Sequence, residues 1–80
     1  MTLNEVLNIY SKVKDINYVG VVKVERLMGP YKKIIVDIYK EGEEKPLISV
    51  NNTDKIADDY LFKAREKAEL QALEELFKVI

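Results

Sequence analysis

The apolar residues of this chain change their spacing twice. Leu3, Val6, Leu7, Tyr10 and Val13 recur at steps of three and four, and Ile34, Val36 and Ile38 at steps of two. Ala57, Leu61, Ala64, Ala68, Ala72, Leu73, Leu76 and Phe77 return to helical spacing. A helix brings residues back to one side about every 3.6 positions and a strand every second position, so the pattern reads helix, then strands, then helix. The fold class that follows is α+β.

Local signals mark where the elements begin and end. Thr2-Leu3-Asn4-Glu5 has the spacing in which a Thr hydroxyl and a Glu carboxylate meet the free amides of a helix start, so a short amphipathic helix is expected there. Residues 18–27 are rich in Val, but Val19 and Val21 fall on one face while Val22 and Val24 fall on the other. A strand with a bulge or strong twist near Gly20 accounts for that change of phase. Gly29-Pro30 marks a turn, and residues 33–40 alternate cleanly. The polar run Glu41-Gly42-Glu43-Glu44-Lys45-Pro46 predicts a second turn, with residues 47–50 returning as an antiparallel edge strand. Asn51, Asn52, Thr53 and Asp54 offer helix caps, and Asp58 and Asp59 suit a positive helix end, so the last helix is expected to begin between residues 54 and 59. The predicted order is α-β-β-β-α.

Length and composition narrow the function. Eighty residues with 48% apolar and 34% charged side chains predict one compact domain. The chain has neither Cys nor His, which removes disulfides, thiolate chemistry, nearly every zinc arrangement and the commonest general base. Asp58-Asp59 and the acidic turn at Glu41, Glu43 and Glu44 lack the ligand pattern of a calcium loop, and no glycine loop is present to cradle phosphate. A non-catalytic protein without metal or cofactor is expected. No apolar run reaches the roughly 20 residues that span a bilayer, so no membrane role is expected and the cytoplasm is the expected location. The net charge of −1 hides an uneven distribution. Residues 1–40 carry seven Lys/Arg against four Asp/Glu, and residues 41–60 carry two against six.

The order of elements, with four stretches of sequence, resembles the double-stranded RNA-binding domain. Leu3-Asn4-Glu5 is similar to the start of that family's first helix. Gly29-Pro30, then Lys32-Lys33, then Ile34, Val36, Ile38 and Gly42 resemble its Gly-Pro loop, basic pair, second strand and hairpin glycine. Residues 64–76, AREKAELQALEEL, follow the spacing of its last helix. The resemblance implies two helices packed on one face of a three-stranded antiparallel sheet, and binding of duplex RNA. The sequence departs from the family where the family touches RNA. Its Lys-Lys-x-Ala-Lys cluster is matched here by Leu61, Phe62, Lys63, Ala64 and Arg65, the loop has no His, and Asp54, Asp58 and Asp59 stand near the expected phosphate. Lys63-Ala64-Arg65-Glu66-Lys67-Ala68 also has the look of a helix in ring-forming single-strand annealing proteins.

Two functions compete on these residues. Duplex RNA is read by shape across two minor grooves and the phosphates between them, so a binder needs three contact points on one surface. Glu5 and Asn8 are candidates for 2′-hydroxyls, Lys32 and Lys33 for backbone beyond the turn, and Lys63, Arg65 and Lys67 for phosphate. Their ordinary roles are a helix cap for Glu5 and solvated charge for the cations. This reading requires Lys32, Lys33, Lys63 and Arg65 to share one surface. The alternative is a protein partner or a homodimer, formed through Ile35 and Tyr39 on the open sheet face or through Phe77 and Ile80 at the end of the last helix.

Overall fold

The structure is a computed structural model and describes residues 2–79. A first helix, α1 (Leu3–Lys14), leads into three strands, β1 (Tyr18–Arg26), β2 (Tyr31–Lys40) and β3 (Ile48–Lys55). A 3-10 turn over Asp58–Tyr60 then opens the last helix, α2 (Leu61–Val79). The sheet is antiparallel in the order β1-β2-β3. The expected α-β-β-β-α order and α+β class are both present. No helix among the described residues is long and apolar enough to cross a membrane.

Both helices cover one face of the sheet. On that face β2 buries Lys32, Ile34, Val36 and Ile38, β1 contributes Tyr18, Gly20, Val22 and Val24, and β3 adds Ile48 and Val50. α1 presents Leu3 and Leu7 to β1, and α2 presents Ala68, Ala72, Leu73 and Leu76 to β2 and β3. The alanines let α2 lie close to the branched side chains of β2, since a longer side chain there would overfill a closed core. The helices meet at Tyr10 and Phe77, whose rings are 5.4 Å apart.

Side-chain to backbone hydrogen bonds and one close contact make the join between α1 and β1. Thr2 caps α1, its Oγ1 accepting the Glu5 N–H at 3.3 Å, and Asp15 ends the helix in the left-handed conformation. Ser11, buried on α1, donates its hydroxyl to the Leu7 carbonyl at 2.6 Å and accepts the Tyr18 N–H at 3.0 Å. Asn4 pairs with the Gly20 peptide in both directions, accepting its N–H at 2.9 Å and donating to its carbonyl at 3.2 Å. Gly20 itself has no room for a side chain, because a Cβ there would lie 2.4 Å from Leu3 Cδ2 and 3.1 Å from Leu7 Cδ1.

Three expectations are corrected. β1 has no bulge, since its residues pair one to one with β2 from Tyr18↔Lys40 to Arg26↔Lys32. The change of phase near Gly20 arises because glycine replaces the apolar residue on the helix face, while Val19 and Val21 occupy the opposite face. β3 runs on through Asn51, Asn52, Thr53 and Asp54, which were expected to cap a helix. The α-helix accordingly begins at Leu61, beyond the expected window, after the 3-10 turn. Polar edge residues carry no apolar alternation, so the second half of β3 had no strand signal.

Candidate nucleic-acid interface

Alternation along β2 separates Lys32 from Lys33. Lys32 lies in phase with Ile34, Val36 and Ile38, so it points under α2 and is 4% exposed. Its Nζ donates to the Ile56 carbonyl and lies 3.2 Å from Asp58 Oδ1. A charge this deep stays ionised only when it is paired and hydrogen-bonded, and both conditions are met. Lys33 points to the opposite side of the sheet. Lys32 is therefore not the backbone contact expected of it, and the surface requiring Lys32, Lys33, Lys63 and Arg65 together does not form. The signal for Lys32 was present in the sequence, because extending the period of two backward from Ile34 reaches it.

Asp58 does not oppose phosphate as a free charge. Its Oδ1 accepts from Arg26 Nη1 at 3.0 Å and lies 3.2 Å from Lys32 Nζ. The hydrogen bond from Arg26, then that from Lys32 and the two positive charges, hold its carboxyl below the ordinary carboxylate value. This aspartate ties the end of β1 and the start of β2 to the turn that opens α2.

Beside that clasp lies an open cleft of about 490 Å³, between the Gly29-Pro30 turn and the first turns of α2. Lys55, Lys63 and Lys67 line it together with Pro30 and Tyr60. None of these lysines has an ion-pair partner among the described residues. Tyr60 is 62% exposed, which leaves its ring open to a flat ligand. Gly29, at φ +63°, makes the tight turn that brings Pro30 to the cleft. Lys63 and Lys67 were expected at such a site, whereas Lys55 and Tyr60 were not. Lys55 lies in the unforeseen part of β3, and Tyr60 carried no local pattern.

The other expected residues fall elsewhere. Arg65 and Glu5 line a depression between the first turns of α1 and α2, with Phe62 and Glu66. Glu5 also supplies the capped N–H of α1, so its structural role is filled by the backbone while its carboxylate stays exposed. Asn8 is exposed and belongs to a separate polar depression with Asn17, Lys40 and Glu41. Of the interface candidates, Ile35 and Tyr39 lie half-buried on the open sheet face beside Val19 and Val21. Phe77 is half exposed next to Tyr10, and Ile80 lies outside the described residues. The chain matches no protein-family model, no curated protein and no solved structure.

Proposed function

We propose that this domain binds nucleic acid without catalysis, double-stranded RNA by preference, by laying a phosphate backbone along the cleft between the Gly29-Pro30 turn and α2. The four-cation surface first required of a duplex-RNA binder does not form, and the reading rests instead on a different set of cations. One observation carries the reading. Among the described residues, Lys55, Lys63 and Lys67 line that cleft without ion-pair partners, while the nearby Asp58 is neutralised by Arg26 and Lys32. Phosphate contacts supply affinity and position without reading sequence, which suits a set of three lysines around a shallow opening. Glu5 and Arg65 share a depression on the other flank of the α2 start with Glu66 and Glu69, and the reading assigns it 2′-hydroxyl contacts, not phosphate. With three lysines on the backbone, affinity is modest and its logarithm falls with the logarithm of salt at a slope of about −3.

The test is fluorescence anisotropy against labelled duplex RNA, duplex DNA and single-stranded RNA, each at low and near-physiological salt. Saturable, salt-sensitive binding that prefers duplex RNA supports the reading. Lys55→Ala and Lys63→Ala should each weaken binding to every sequence alike and reduce the salt slope by about one. Preference for single strands would instead favour stacking on Tyr60 and an annealing role. Absence of binding to all three at low salt would overturn the proposal. In that event a second reading takes over, in which Val19, Val21, Ile35 and Tyr39 meet a protein partner through the uncovered face of the sheet.

A further inference from the structure

The two edges of the sheet are finished differently. In β1 the odd residues bond to β2, as the flanking Leu27 N–H to Tyr31 carbonyl bond requires, so the even residues turn their peptide groups outward. Ser11 takes the outward N–H of Tyr18, and Asn4 takes both outward groups of Gly20. In β3 the even residues bond to β2, in phase with the Ile56 N–H to Pro30 carbonyl bond, so Ser49, Asn51, Thr53 and Lys55 turn outward. Among the described residues, Asp54 Oδ1 meets the Lys55 N–H, and no side chain meets the N–H groups of Ser49, Asn51 and Thr53. The guards of this edge sit at its ends, Pro46 and an out-of-register Leu47 N–H to Ile38 carbonyl bond before it and Asp54 and Lys55 at its close, while Ile48 to Thr53 has neither charge nor proline.

We propose that β3 pairs with β3 of a second copy of this chain, antiparallel about a two-fold axis at Asn52, to make one six-stranded sheet. The occupant is a second copy because opposite charges on α2, Lys67 and Glu75, stand at equal steps on either side of that axis. Ser49, Asn51, Thr53 and Lys55 are symmetric around Asn52, so only this axis pairs all four outward residues, Asn51 facing Thr53 and Ser49 facing Lys55 of the second copy. The helices agree with the same axis. α2 runs antiparallel to β3, with Gln71 level with Asn52 through a 3.2 Å hydrogen bond. The two-fold axis then sets the two α2 helices antiparallel along the seam on one side of the sheet. Four residues either way from Gln71 stand Lys67 and Glu75, so Lys67 of each copy faces Glu75 of the other. An isologous pair thus gains backbone bonds at the edge and opposite charges above it, with Glu75 exchanging its Lys78 partner, and it competes with the phosphate contacts proposed for Lys55 and Lys67.

Sedimentation of the purified chain, without nucleic acid, over micromolar to millimolar concentration tests this independently of RNA binding. The expected result is a monomer–dimer equilibrium in which the Ser49, Asn51 and Thr53 amides become protected from hydrogen exchange as the dimer fills. Lys67→Glu should weaken the dimer severalfold, and Lys67→Glu combined with Glu75→Lys should restore it. Asn51→Pro, which removes an outward N–H, should abolish it. If that variant misfolds, the charge exchange decides alone. A chain that stays monomeric throughout, or a dimer whose three amides exchange as freely as in the monomer, overturns the proposal. A dimer indifferent to Lys67→Glu overturns the stated axis.

Discussion

The β1 flank and the β3 flank of the sheet are built from the same backbone chemistry and reach opposite solutions. On the β1 side, α1 is locked down by a glycine contact and by side chains that answer the strand's free peptide groups. On the β3 side, α2 rests on apolar area through Ala68, Ala72 and Leu76, and the edge beyond it is left to water. Specific hydrogen bonds fix position at the cost of tolerance, because a buried polar group left without a partner loses about 1–3 kcal/mol. Apolar packing is less particular about geometry, and a lone edge bond to solvent loses little when replaced. The first flank should be brittle and the second forgiving.

The largest effect is expected from Gly20→Val. Its side chain would occupy the space of Leu3 Cδ2, and either α1 lifts or the strand shifts, so thermal and denaturant unfolding should show a loss of at least ~1–3 kcal/mol. A variant as stable as the parent would show that α1 is loosely held and erase the contrast. Ser11→Ala comes next, since it strands the buried N–H of Tyr18 and should cost about 1–3 kcal/mol by the same measurement. On the opposite flank, Asn52→Ala removes an exposed side-chain bond to Gln71 and should change stability by no more than about 0.5 kcal/mol in the monomer. A loss as large as that of Ser11→Ala would make the β3 flank equally brittle.

The smallest effect concerns the clasp that joins the flanks. Asp58 has a folded-state pKa below its unfolded one, so its ionised form adds stability above the ordinary carboxylate value, and that stability is lost as pH falls through the folded value. In acid titrations of stability, the parent should therefore fall more than Asp58→Asn below about pH 4. Because the carboxylate is exposed, added salt should shrink the difference. Identical acid profiles would assign the clasp no part in holding the α2 start.

The brittle flank was also the more legible. Thr2 and Glu5 announced the α1 start, and the spacing of Leu3 and Leu7 gave its buried side, because local capping and periodicity are written in adjacent residues. What remained hidden was the reason for Gly20, a contact with a residue seventeen positions earlier that no local pattern encodes. On the other flank, Ile34, Val36 and Ile38 declared β2 by alternation, yet Asn51, Asn52 and Thr53 read as helix caps. Those residues become strand only because β2 offers them partners. The candidate site divided in the same way. Lys63 and Lys67 were visible as helix cations, whereas Lys55 depended on the unforeseen length of β3, and Lys32 was drawn inward by a neighbour's carbonyl and by Asp58.

Asn4 and Ser11 have a consequence for how far association could run. A sheet with two bare edges is a bifunctional monomer, and each addition exposes a fresh end that can grow into a ribbon or fibre. Here one end is chemically stopped along its first half by α1, while Lys23, Glu25 and Arg26 charge the remainder. Under the proposed pairing the chain is monofunctional in that sense, so edge growth would terminate at two copies, and two small polar side chains would set the stoichiometry.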